Sequence, residues 1–149
     1  FASEWRRFLH PASAEEGQSL AVPLEAVRFP FRYRGRPLSV NRMTFYLNVK
    51  DGIEYPDNGS PLEAKLIAPE SGTEKGAEFM SSNANLHGMP VAEFDVSAEG
   101  KGFGVWTLRA EETAIAKLPD ALKLSAGGRV RLNPDAVRDL VVVCDYAIL

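Results

Sequence analysis

The sequence predicts an all-β fold, an antiparallel β-sandwich of about seven or eight strands with one or two short helices. Three observations lead to it. Short segments with apolar residues at every second position recur along the chain, turn-forming residues separate these segments, and no strand–helix–strand repeat is present. Because a sheet with one apolar face must cover that face, a second sheet is the expected partner. A partly closed barrel is the structural alternative.

A short helix is predicted over residues 3–9, and a strand follows it. Ser3 can cap the helix and Pro11 ends it. The apolar side of the helix consists of Trp5, Phe8 and Leu9. This helix either caps the core or packs on a preceding domain. Apolar residues alternate over 20–24, where Pro23 indicates an edge strand or a bend.

The clearest strand is predicted over residues 38–50. Four apolar residues alternate there with polar ones: Met43, Phe45, Leu47 and Val49. Leu38 and Val40 belong to the opposite parity, so a β-bulge or turn is expected near Asn41.

Shorter segments complete the predicted sandwich. Strands are expected over 62–68, 77–80, 92–96, 103–109, 122–124 and 130–132, and a helix over 110–118. The terminal segment, 140–149, has apolar residues on both faces, which is typical of a central strand covered on each side. Gly127 and Gly128 predict a tight turn.

Composition indicates one soluble-type globular domain spanning residues 1–149. The chain has 45% apolar and 25% charged residues, and no apolar run approaches the length of a membrane span. Its first residue is Phe1, so we expect a domain excised from, or C-terminal in, a larger polypeptide. The single cysteine, Cys144, has no partner for an internal disulfide and is expected to be a buried free thiol.

Charge is distributed unevenly along the chain. Residues 1–50 carry a net charge of +4 and the remainder carries −7, within a total of −3. This overall acidity argues against nucleic acid as a partner. Arginines and aromatic residues alternate just before the clearest strand, and such residues are enriched at protein interfaces. The predicted binding residues are Arg32, Tyr33, Arg34 and Arg36. Alternatively, the aromatics plug the end of the sandwich, and the arginines bind strand-end carbonyls or pair with the acidic side of the same domain.

No catalytic site, metal site or cofactor is predicted. The two histidines, His10 and His87, lie in no nucleophile or zinc motif. Four carboxylates on predicted strands or near them could in principle form a hydrolytic pair: Glu93, Asp95, Asp139 and Asp145. A second set could supply oxygen ligands to calcium, although turns use the same residues: Asp51, Glu54, Asp57 and Asn58.

Three segments together resemble a known family. They are Glu4-Trp5-x-x-Phe8-Leu9-x-Pro11, Arg28-Phe29-Pro30-Phe31-x-x-Arg34-Gly35-Arg36, and Asn133-Pro134-Asp135-Ala136-x-x-Asp139-Leu140 before a strand with Tyr146. Their order is similar to that in the C-terminal β-domain of bacterial Tc (insecticidal ABC-type) toxin A-subunit-like proteins. The resemblance implies a β-sandwich-type module of a very large pore-forming subunit. Such a module docks the cocoon-bearing B–C component, which presents a β-propeller. It also implies a secreted or cell-surface parent protein and no membrane insertion by this domain.

Two binding hypotheses therefore remain open. The first is a non-catalytic assembly module that docks a protein partner, with an unpaired strand edge available for pairing in trans. The alternative is a carbohydrate-binding β-sandwich that recognises a receptor or glycan. It requires exposed aromatic residues in a groove or at a loop end, for which Tyr46, Tyr55 and Trp106 are candidates.

Overall fold

The computed structural model describes residues 2–10, 18–25, 38–56, 61–81, 89–97 and 104–148. Within them the chain is mostly β, as predicted. The helices are α1 (Ala2–Leu9) and α2 (Glu112–Ala116), with a 3₁₀ turn over Asp120–Leu122. The strands are β1 (Gln18–Leu24), β2 (Leu38–Val49), β3 (Glu63–Ile67), β4 (Glu74–Glu78), β5 (Val91–Asp95), β6 (Gly104–Ala110), β7 (Lys123–Ala126), β8 (Arg129–Leu132) and β9 (Val137–Ile148).

The described strands form two antiparallel sheets and a hairpin. Sheet A has the order β1-β6-β3-β4, sheet B has the order β5-β2-β9, and β7 pairs with β8. The sheets are joined on one side, where Met80 and Val91 exchange two backbone hydrogen bonds of 2.9 and 3.0 Å. This connection gives the sandwich a partly barrel-like side, and it leaves β1 and β9 as the outermost described strands on the other side.

The core lies between the inner faces of the two sheets. β1 shows the expected alternation, since Leu20, Val22 and Leu24 are buried while their neighbours are exposed or half-buried. From β2, Phe45 meets Phe94 of β5 edge to face, with ring centroids 5.7 Å apart. Such continuous burial of apolar side chains is the main stabilising contribution in a domain without a disulfide.

The bulge predicted near Asn41 is confirmed. Val40 pairs with Tyr146 and Arg42 pairs with Asp145, so Asn41 is the extra residue of β2. The bulge reverses the parity of the strand. Val40, which precedes it, is consequently as buried as Met43, which follows it.

α1 caps one end of the core rather than standing apart from it. Phe8 is buried and stacks on Trp5 at 5.3 Å. The buried amide of Gln18 connects α1 to β8: its Nε2 donates to the Phe8 carbonyl at 2.6 Å, and its Oε1 accepts from the Leu132 backbone N–H at 2.8 Å. The amide thereby satisfies backbone groups that would otherwise be buried without partners.

Three predicted elements differ from the structure. β4 begins at Glu74, within the predicted polar loop, because pairing with β3 selects this segment although it shows little apolar alternation. α2 is only five residues long, and Ala110 belongs to β6 instead. β9 is not a central strand covered on both faces: it is the outermost described strand of sheet B, and one of its faces is exposed.

Candidate functional site

The most distinctive surface of the described chain is formed by residues 140–148 of β9. Its inner face begins with buried Leu140 and continues with half-buried residues as far as Ile148. Its outer face carries Val141 and Val143, whose exposed fractions are 41% and 42%. These valines belong to a continuous strand and are not isolated loop residues. The outer face of β9 therefore presents the side chains of Val141 and Val143 to solvent along a regular strand.

Cross-strand register defines three rows on the outer face of sheet B, each running from β5 through β2 to β9. The rows are Val91–Tyr46–Val141, Glu93–Thr44–Val143 and Asp95–Arg42–Asp145. The first two rows contribute the apolar part of this face, and the third places an arginine between two carboxylates. The face is thus apolar beside Val141 and Val143 and charged at its end.

The edge of β9 differs from those of the two outermost strands of sheet A, β1 and β4. β1 carries Pro23, which has no backbone N–H to offer a further strand. β4 has five residues, of which Glu74, Lys75 and Glu78 are charged. β9 has twelve residues, and between Asp139 and Ile148 it contains neither proline nor lysine. Proline and charged side chains, lysine above all, are the features with which proteins usually block strand addition.

β9 pairs only with β2 among the described strands. In an antiparallel pair, alternate residues direct their N–H and C=O groups away from the partner. A second strand along β9 could therefore satisfy a row of donors and acceptors while covering Val141 and Val143. Chemically, this arrangement can bind an extended backbone.

Carboxylates predicted as a hydrolytic pair lie on the exposed face of sheet B. β2 separates Asp95 from Asp145, which places the two side chains on strands about 10 Å apart. The Ser97 backbone N–H and hydroxyl both donate to Asp95, at 3.1 and 2.8 Å, and hold its pKa below the ordinary value. A general acid needs the opposite shift.

Cys144 is half-buried on the inner face of β9. Burial, and to a smaller extent the nearby Asp145 carboxylate, raises its pKa to about 11. The neutral thiol therefore dominates at physiological pH, and Cys144 acts as a small apolar residue in the strand.

The aromatic residues of the carbohydrate hypothesis occupy different environments. Trp106 is completely buried in the core, and its Nε1 has no hydrogen-bond partner among the described residues. The Tyr55 hydroxyl donates to the Phe79 carbonyl at 2.7 Å and accepts from the Leu62 backbone N–H at 2.8 Å. Tyr46 and Tyr55 are both half-buried, and of the two only Tyr46 lies on the outer face of sheet B, in its first row.

The predicted binding residues Arg32, Tyr33, Arg34 and Arg36 lie outside the described residues. So do three other candidates: His87, Asp57 and Asn58. His10 is exposed just after α1. Asp51 forms an ion pair with Arg138 at 3.6 Å. In the described ranges, no three His, Cys, Asp or Glu side chains are grouped as metal ligands would be.

A second surface feature is a groove of about 360 Å³ on sheet A, between β3, β4 and α2. The Lys65 ammonium and the Glu111 carboxylate meet in it at 3.0 Å. Glu63, Glu78 and Arg109 line the groove as well, so it presents charges of both signs and selects no single ligand charge. We therefore regard it as a weaker candidate than the edge of β9.

Comparisons with known proteins add no identification. No protein-family model, curated protein or solved structure matches this chain. Among the described helices, none is long and apolar enough to cross a membrane.

Proposed function

We propose that this chain is a non-catalytic docking module of a large toxin-like protein, and that it joins a protein partner by strand addition along β9. One observation carries the proposal: β9 is a twelve-residue strand with two exposed valines, and its residues 139–148 include neither proline nor lysine. Main-chain hydrogen bonds would supply affinity, and the pattern of side chains would supply specificity.

Specificity would come from the outer face of sheet B. A partner strand with apolar residues opposite Val141 and Val143 would cover both valines. A cation near either end would face Asp139 or Asp145, which are exposed on the same face. The resemblance to Tc toxin A-subunit-like proteins supports the same class of function, since their C-terminal region docks a B–C component.

The carbohydrate alternative receives less support from the fold. Of its three candidate aromatics, Trp106 is in the core and the Tyr55 hydroxyl already serves two backbone groups. Tyr46 alone, half-buried between Val91 and Val141, is a small platform for a sugar.

The test is a titration of the isolated domain with a purified Tc toxin B–C component, followed by calorimetry. Val143→Asp places a charge in the middle of the proposed contact and should weaken binding by at least about tenfold. Val105→Asp is the matched control, because Val105 is a 52% exposed valine on a strand of sheet A. Equal binding by both variants would contradict docking along β9. A glycan array on the same protein tests the alternative, which reproducible, Tyr46-dependent binding would favour.

A further inference from the structure

The residues along β9 make it complementary to a second copy of itself. A two-fold axis perpendicular to sheet B would place two β9 strands side by side and antiparallel, giving one continuous six-stranded sheet. Side chains on the outer face of one copy then continue on the outer face of the other. Such a pair is centred on one residue, which lies opposite itself across the axis.

Repulsion between carboxylates excludes two of the registers that are centred on residues 141–145. A pair centred on Val142 places Asp139 of one copy opposite Asp145 of the other, twice by symmetry. A pair centred on Asp145 places that carboxylate opposite itself. Like charges directly opposite each other destabilise a strand pair, so neither register is favourable.

The three remaining registers differ in how many charged residues they place opposite apolar ones. Centring on Val141 or on Val143 leaves three pairs that set a charged residue against an apolar one. Centring on Cys144 leaves a single mixed pair among the described residues, Val143 with Asp145. The other pairs in that register are Leu140–Ile148, Val141–Ala147, Val142–Tyr146 and Cys144–Cys144.

We propose that two copies of this chain associate through their β9 strands in the register centred on Cys144. The overlap covers residues 140–148, a length of about 30 Å. It pairs the edge backbone groups of both copies, and it sets the exposed Val141 of each copy opposite Ala147 of the other and Val143 opposite Asp145. The inference rests on the edge that the proposed function uses, and it names the strand that occupies this edge when no other partner is bound.

The register makes a prediction that depends on the sign of a charge. In Val143→Asp, the new carboxylate faces Asp145 of the other copy, twice by symmetry, and dimerisation should weaken by at least about tenfold. In Val143→Lys, the ammonium faces the same Asp145, and the dimer should persist and become sensitive to salt. Val105→Asp, on the outer face of sheet A, should dimerise like the unchanged protein.

Analytical ultracentrifugation over about a hundredfold range of concentration measures these equilibria. A wild-type protein that stays monomeric throughout would overturn the inference. A dimer that withstands Val143→Asp would overturn it too, because another surface would then be responsible. Equal disruption by Val143→Asp and Val143→Lys would contradict the register, since lysine then faces no carboxylate.

Cys144 provides an independent readout. Directly opposite residues in an antiparallel pair have Cα atoms about 4.5–5.5 Å apart, within the reach of a disulfide. Diamide should therefore convert the dimer to a covalent dimer at about pH 9, where part of the thiol ionises. Cys144→Ser is the control and cannot be cross-linked, because the chain has no other cysteine. A non-covalent dimer that resists cross-linking would contradict the register.

Amide hydrogen exchange separates failure of this inference from failure of the proposed function. A monomer whose β9 edge amides exchange rapidly would reject self-pairing and leave the edge available to another protein. A monomer whose β9 amides are all protected would reject both proposals, because the edge would then be paired within the chain.

Discussion

β1 and β9 are the outermost described strands on the same side of the sandwich, yet they use their surfaces differently. Every second residue of β1 is buried, its first side chain is held by α1 and β8, and Pro23 interrupts its edge. β9 buries only Val137 and Leu140 and leaves two valines exposed. The comparison shows that an outermost strand can bury one alternating apolar face in a closed core, as β1 does, or carry apolar residues on both faces and leave one of them accessible, as β9 does.

A lysine placed in each strand gives the largest contrast. Val22→Lys would bury an ammonium in the core, at a side chain that is 3% exposed, and should destabilise the fold by more than about 4 kcal/mol. Val143→Lys changes an exposed side chain and should alter the free energy of unfolding by less than about 1 kcal/mol. Urea denaturation of both variants measures the difference. Similar losses would show that β9 is as integral to the core as β1.

The next effect concerns the amide that holds the start of β1. Gln18→Leu keeps the volume but leaves the Phe8 carbonyl and the Leu132 N–H buried without their partner, which should cost about 1–3 kcal/mol. Ser19→Ala, at the exposed neighbouring position, should change stability by less than about 0.5 kcal/mol. Chemical denaturation of the two variants provides the measurement, and equal stability would show that the amide link contributes nothing.

A smaller effect should be visible at alkaline pH. Burial of Tyr55 raises its pKa above the ordinary value of 10.0 in the folded protein, so the unfolded chain ionises first. The stabilising contribution of the neutral phenol is complete below about pH 10 and decreases as the pH rises further. Tyr55→Phe should remove this alkaline loss and, at neutral pH, cost about 1–2 kcal/mol for its two hydrogen bonds.

Thermal unfolding as a function of pH tests the Tyr55 prediction. Tyr46→Phe serves as the control and should keep the alkaline decrease of the parent protein. If the stability of Tyr55→Phe decreases at alkaline pH as much as that of the parent protein, groups other than Tyr55 cause the decrease.

The mildest test leaves the fold intact and concerns Cys144. Because its pKa is raised to about 11, iodoacetamide should modify the folded protein at least about tenfold more slowly than the urea-unfolded protein at pH 8. Mass spectrometry follows the reaction. Equal rates would mean that this part of β9 does not bury its inner face even partly.

Much of the fold follows from local patterns in the sequence. The parity change around Asn41 predicts the bulge in β2, and the alternation of β1 predicts its buried face, because a side-chain period of two applies to any half-buried strand. β4 escapes this reasoning, since an exposed strand of charged and small residues has little apolar signal. Its position depends on pairing with β3, which is a tertiary effect.

The candidate site was harder to predict. Apolar residues on both faces of β9 fit a covered central strand as well as an exposed one, and only the sheet order distinguishes them. Gln18 has the same parity as Leu20, which hinted at its burial, but nothing local identifies its two backbone partners. The predicted binding residues Arg32 to Arg36 lie outside the described chain and remain a prediction.

Residue-by-residue amide exchange in the Val143→Asp variant tests the central claim most directly, because this variant is expected to be monomeric. β9 should show alternating behaviour: amides bonded to β2 exchange slowly, and those directed away from β2 exchange at nearly unprotected rates. β6 has a partner strand on each side over residues 107–109, so its amides there should all be protected and serve as the internal reference. Protection along the whole of β9 would contradict the account, because its edge would not be available to any partner strand.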